Sequence, residues 1–362
     1  MSCRFPLLLL AVAVTIASAS NPANSVVPLF SNVLSAKDYR YDLKDSAGLQ
    51  MSCIHVDAIR GDTALWGGDK YLGLYHTMVG KQFNVRLASS KDLMTWTFRR
   101  TIVENGDMPF LKRVDGEDKD GWLLLTHEQW MNPNSQLPSR LGFKLFYNES
   151  ELLMGNHFNS FVAPLSVGSY SRLEGTPSVY GAERANKQGL YVVNADIGFH
   201  FNDEKGKDTV AIGRLEQFGP TTIRPKLTGQ HRADAYDELF IAKGAIGNIG
   251  QRAPGTVHGV HINAQEANIG SMPPTIWADW RIWLYFFAPS EGDVPTGAPG
   301  SHVEMLNVTT HGGSTAIGNP SWHLLPCPGE GAEDNCIFVS YFVFGEGAAP
   351  GEAGVLAFWK GL

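Results

Sequence analysis

Residues 70–77 (Lys70-Tyr71-Leu72-Gly73-Leu74-Tyr75-His76-Thr77) and 83–87 (Phe83-Asn84-Val85-Arg86-Leu87) are two short alternating runs, the period-two pattern of half-buried strands. They lead into Leu87-Ala88-Ser89-Ser90-Lys91-Asp92-Leu93-Met94-Thr95-Trp96. The Ser-x-Asp-Leu-x-x-Trp stretch reads as a turn whose Asp accepts backbone N–H groups. The Trp then opens the next strand and buries a large ring between sheets. A β-meander over residues 70–100 is the prediction.

The same arrangement recurs. An acidic residue beside a strand is followed by a Gly- or charge-rich turn and an aromatic strand. The copies run from Asp57 to Tyr71, from Asp107 to Trp122 and from Glu174 to Tyr191, spans of 14, 15 and 17 residues. The three acids lie 50 and 67 residues apart, a repeat length that suits several strands per unit. Residues 143–147 lead into Asn148-Glu149-Ser150-Glu151-Leu152-Leu153, which echoes the opening turn without its Trp. Past Phe201 the repeat fades, although residues 208–213, 256–262, 283–287 and 337–342 still read as strands. No long amphipathic helix and no dividing linker interrupt the pattern. The expectation is all-β: a single five-bladed β-propeller over residues 21–362, with inner strands beginning near residues 55, 107 and 174.

Composition narrows the setting. Residues 1–20 carry Arg4, an apolar run from Phe5 to Ile16 and the small exit Ala17-Ser18-Ala19-Ser20, which reads as a cleaved secretory signal too short to span a bilayer. Without them 28 Lys plus Arg face 36 Asp plus Glu, a net charge of −8. That acidity argues against nucleic acid or an anionic membrane as partner. The chain is therefore expected to be secreted, extracellular and monomeric. Of four cysteines, Cys3 leaves with the signal. Cys327 and Cys336 flank a polar, Gly-containing loop suited to a local disulfide. Cys53 is left as a buried thiol. Asn148-Glu149-Ser150 and Asn307-Val308-Thr309 are glycosylation sequons.

In a propeller the first residues of each inner strand face a shared central funnel, so Asp57, Asp107 and Glu174 are candidates to converge there. A turn role, solvated or capping backbone N–H groups, is the ordinary alternative for each. Three convergent acids suit glycosidic hydrolysis. One carboxylic acid protonates the leaving oxygen, one carboxylate activates water, and a third biases the donor's pKa.

On the Ser90–Trp96 turn, the acid spacing and Leu173-Glu174-Gly175-Thr176-Pro177, the chain resembles the five-bladed propeller glycoside hydrolases of the arabinanase, levansucrase and invertase superfamily, and most of all glycoside hydrolase family 43. That family's pattern has an Asp on the first inner strand, an Asp followed by Pro on the second and a Glu on the third. Here Asp57 lacks a following Pro, and Met108 stands between Asp107 and Pro109. The resemblance implies an inverting hydrolase of polysaccharide or oligosaccharide, on arabinosyl or xylosyl units. Its roles would be Glu174 as general acid, Asp57 as general base about 6.5–9.5 Å away, and Asp107 as modulator. It implies no required cofactor and leaves room for a structural calcium, toward which His231 or His258 could point. A secreted carbohydrate-binding propeller without turnover is the alternative.

Trp66, Trp130 and Glu128 are candidates to touch sugar, the last two from Thr126-His127-Glu128-Gln129-Trp130 at a strand end. A packed blade edge, or a buried blade Trp, is the competing reading. His258 and His261 do not share a strand face, which disfavours a joint metal site.

Overall fold

The computed structural model describes residues 22–362 apart from 115–120, 133–134, 166, 168–172, 188, 204–207, 220–223, 246–248, 271–278, 288–296 and 330–333. The proposed signal, residues 1–20, lies outside the described residues. Strand β1 (Asp38–Arg40) comes first and is held for the closure of the ring. Blade one is β2 (Ser52–Ala58), β3 (Tyr71–Val79), β4 (Gln82–Ser90) and β5 (Trp96–Glu104). Blade two is β6 (Gly106–Arg113), β7 (Leu123–Asn132), β8 (Ser135–Phe146) and β9 (Asn159–Val162). Blade three is β10 (Glu174–Lys187), β11 (Leu190–Asn202), β12 (Asp208–Phe218) and β13 (Lys226–Arg232). Blade four is β14 (Ile249–Val257), β15 (Val260–Asn268), β16 (Trp280–Phe286) and β17 (His302–Met305). Blade five is β18 (Ile317–Pro326), β19 (Asn335–Val343) and β20 (Gly354–Gly361), completed by β1 from the other end of the chain.

Five four-stranded antiparallel sheets in sequence order make a five-bladed β-propeller, as the repeat predicts. Inner strands begin at Ser52, Gly106 and Glu174. Each gap between neighbouring blades is filled by its own apolar cluster, so the core is a ring of five wedges and not a single centre. Pairing β1 with β20, Tyr39 opposite Phe358, removes the edges that an open ring would leave. Helix α1 (Pro22–Ser31) reinforces that closure, its Phe30 edge-on to Trp322 at 5.3 Å. The Lys360 ammonium donates to the Pro28 carbonyl at 2.6 Å.

The Ser90–Trp96 turn has the chemistry its residues suggest. Asp92 Oδ1 accepts the N–H groups of Met94 (2.9 Å) and Thr95 (2.7 Å), and Trp96, 2 % exposed, opens β5. Two local readings are corrected. Residues 148–153 form no echo of that turn but helix α2 (Glu149–Met154), because Asn148 Oδ1 caps it by accepting the Glu151 N–H. Residues 256–262 are not one strand. His258 and Gly259 both take positive φ (49° and 73°) in the tight turn between β14 and β15. The third helix is α3 (Asp234–Ile241), and no helix of the described residues is long and apolar enough to cross a membrane.

Cys327 and Cys336 are bonded, with Cα atoms 5.0 Å apart, and Cys53 is free and buried. Closing so short a loop restricts the unfolded chain and contributes about 2–3 kcal/mol. Replacing both cysteines by serine is expected to lower the unfolding free energy in denaturant by that amount. An unchanged midpoint would contradict it.

Candidate active site in the propeller funnel

All five inner strands break their pairing at the same place. Register shifts fall between Ser52 and His55, Asp107 and Phe110, Gly175 and Ser178, Ile249 and Arg252, and Gly318 and Ser321. Such bulges bend strands at the rims of closed sheets. On four of them the next residue takes positive φ: Cys53 (48°), Met108 (46°), Thr176 (47°) and Asn319 (50°). Left-handed backbone at non-glycine residues is costly, so the surroundings must hold it. Side chains of the preceding blade do so in three cases. His76 Nδ1 accepts the Met108 N–H (3.2 Å), Glu128 Oε2 that of Thr176 (3.3 Å), and Glu266 Oε2 that of Asn319 (2.7 Å). Gly175 leaves room for this clasp, since a Cβ there would lie 1.8 Å from Glu128 Oε2.

These rims surround a cavity of about 810 Å³. Its polar wall includes Ser52, His76, Asp107, His200, Asp208 and Glu266, and its apolar wall includes Phe83, Trp280, Phe342 and Phe344. Below it the axis is plugged by rings: His55 packs against Phe110 at 4.7 Å and His323 at 4.3 Å. Burial lowers both histidines, His323 to about 3, so the plug is neutral.

Asp107 and Glu128 stand directly opposite each other on β6 and β7 and are 2 % and 1 % exposed. Two like charges so placed and so dry cannot both ionise cheaply. Burial first and the Glu128 charge second push the Asp107 carboxyl well above the carboxylate range. Asp107 Oδ1 and Glu128 Oε1 make no hydrogen bond to a described residue. The other oxygen of Glu128 is anchored by the Thr176 N–H and has His200 Nε2 at 3.9 Å. The proton of the pair therefore belongs on Asp107. His200 Nε2 also meets Thr176 Oγ1 at 3.1 Å. Burial raises Asp208 to about 6, with His200 opposing the shift and Glu128 adding to it.

The three acids singled out in the sequence do not meet. Ser52, not Asp57, lines the cavity from β2. Asp57 is five residues further along, roughly 16 Å at strand rise. There it pairs with Arg113 Nε at 2.8 Å. Arg113 also bonds Glu149, which accepts the N–H groups of Arg60 and Gly61, each at 2.9 Å. Asp57 is a latch between blades one and two at the end remote from the cavity. Glu174 precedes the bulge by one residue. Its counterparts Met51 and Ile317 pack between blades, and Glu174 likewise is fully buried, accepting the Val167 N–H at 2.9 Å. Asp107 alone of the three lines the funnel.

Trp66 is 1 % exposed between blades one and two, near Arg113 and away from the cavity. Trp130 sits a layer behind the cavity wall, edge-on to Phe83 at 5.2 Å. Asn307 is exposed and Asn148 half-buried. His231 lies on the outer strand β13 and His258 in a hairpin turn, so neither reaches the axis. Among the described residues no cluster of three or more His, Cys, Asp or Glu is arranged to hold a metal ion.

Sequence reasoning missed His76, His200, Asp208 and Glu266 as funnel residues and took Glu128 for a sugar contact. A signal was present. Ser52, Asp107 and Gly175 are followed after 24, 21 and 25 residues by His76, Glu128 and His200, the cross-strand partners of the bulge.

No family profile and no curated protein sequence matches the chain. Among solved structures it is similar to an alpha-L-arabinofuranosidase from Lactobacillus brevis, at 10% identity over 86% of this chain and 90% of that one, TM-score 0.49. It is also similar to the GH93 alpha-L-arabinofuranosidase of Fusarium graminearum (12%, 90% and 85%, TM-score 0.45). A third is the Bombyx mori GH32 beta-fructofuranosidase BmSUC1 (9%, 89% and 62%, TM-score 0.46). At these scores the likeness adds nothing to the five-bladed architecture, and the chemistry rests on the chain's own residues.

Proposed function

We propose that the protein is a secreted glycoside hydrolase whose proton donor is Asp107. The observation that carries this reading is Asp107, on the wall of a cavity lined by both aromatic rings and carboxylates and directly opposite the buried Glu128 on the neighbouring strand. Sugars present apolar C–H faces and polar hydroxyl edges, and such a wall matches both. Asp107 gives its proton to the glycosidic oxygen as the C–O bond breaks. Glu266, two blades away across the funnel, takes a proton from the water that attacks the anomeric carbon. Asp208 and His200 bias the pair and hold substrate hydroxyls. Arabinosyl or xylosyl units and inversion at the anomeric centre follow from the sequence resemblance, glycans on Asn148 and Asn307 from the two sequons, and these, with a monomeric state, belong to this proposal.

A sugar-binding propeller without turnover is the second reading. It draws on Ser52, a hydroxyl at the position equivalent to Asp107 on the first inner strand. A panel of aryl α-L-arabinofuranosides and β-D-xylosides, with matching oligosaccharides followed by calorimetry, separates the two. Turnover of the oligosaccharides that is lost in Asp107→Asn, with a smaller loss on the aryl glycosides, supports the hydrolase. Saturable binding with no release of sugar supports the binding module.

A further inference from the structure

We propose that His76 is a positioning residue that sets the proton donor by holding the Met108 bulge, an inference that rests on the role given to Asp107. The imidazole lies on β3, 5 % exposed, and its Nδ1 accepts the Met108 N–H at 3.2 Å. An accepting Nδ1 places the ring proton on Nε2. The edge of the ring is fixed by Phe83 at 5.1 Å, and its backbone pairs with Ser52 and Val85 on either side. Asp107 and Met108 share a peptide bond, so the orientation of that unit decides where the Asp107 carboxyl points.

Met108 has φ of 46°, a conformation that its long side chain does nothing to favour. Without an acceptor, its N–H would be left unsatisfied, and relaxation to ordinary extended backbone would swing Asp107 away from Glu128. The two other clasps, Glu128 on Thr176 and Glu266 on Asn319, use groups to which the chemistry already assigns a part. His76 is the clasp with no such part. Burial lowers its pKa to about 4, which keeps the ring neutral and accepting at higher pH.

His76→Asn and His76→Leu distinguish positioning from packing. The Asn amide oxygen sits close to the place of Nδ1, whereas Leu fills the space and accepts nothing. Misplacing a catalytic group by about 1 Å costs roughly a hundredfold in rate, so His76→Leu should lower kcat on that order with KM little changed. His76→Asn should restore most of it. A second readout does not need activity. The Asp107 carboxyl resonance, assigned by its loss in Asp107→Asn, should titrate nearer the ordinary carboxylate range in His76→Leu and as in the natural protein in His76→Asn. Equal damage from both variants, or an unmoved resonance in His76→Leu, overturns the proposal. Absence of turnover in the natural protein would count against the hydrolase reading alone, and the resonance would still decide the role of His76.

Discussion

Asp107→Asn is expected to lower kcat by about 10²–10⁴-fold on substrates with poor leaving groups, the range for removing a positioned general acid. The amide keeps the shape of the carboxyl and cannot give up a proton. The cross-strand position opposite Glu128 is retained, so KM and the unfolding midpoint should change little. The loss should shrink on aryl glycosides whose phenolate departs without protonation. Equal losses on both substrate types would mean that Asp107 has another role. An intact rate on both would remove it from the chemistry.

Arg113→Ala is expected to cost about 3 kcal/mol of stability, because it strands charges that folding has withdrawn from water. The guanidinium bonds Asp57 (2.8 Å), Glu149 and the Ala58 carbonyl (2.9 Å). Their side chains are mostly withdrawn, 18 % exposed for Arg113, 22 % for Asp57 and 7 % for Glu149, so solvent screens the pairs only in part. Asp57 is left without its guanidinium, while Glu149 keeps the Arg60 and Gly61 N–H groups. Denaturant unfolding measures the loss. The kcat of folded protein should be unaffected, because the latch lies at the end of the strands remote from the cavity. A loss under about 1 kcal/mol would place the cluster with ordinary surface pairs.

Much of the fold was legible, and most of the site was not, for one physical reason. Blade repeats follow from turn chemistry and apolar alternation, which are local: the Asp92 cap and the buried Trp96 can be read directly from Ser90–Trp96. A site depends on register, and register along a strand is a long-range property. Neighbouring residues point to opposite faces, so reading Glu174 for Gly175 exchanges the funnel for the space between blades. Reading Asp57 for Ser52 exchanges one end of the propeller for the other. The positive-φ positions of the bulges carry no glycine, being Cys53, Met108, Thr176 and Asn319, and the last three are held by a side chain of the preceding blade. Glu128 was visible at a strand end, but its pairing with Asp107 appears only once β6 and β7 are aligned.

The pH–rate profile of Glu128→Gln decides whether the Glu128 charge holds the proton on Asp107. Asp107 is held protonated by burial and then by the Glu128 charge. Gln removes that charge while its amide oxygen can still accept the Thr176 N–H. The donor must be protonated to act, so lowering its pKa closes the active window from the alkaline side. The alkaline limb of kcat/KM is therefore expected to move to lower pH, with the rate below the limb reduced less. An alkaline limb that stays in place, or moves to higher pH, would contradict a shared-proton pair at Asp107 and Glu128.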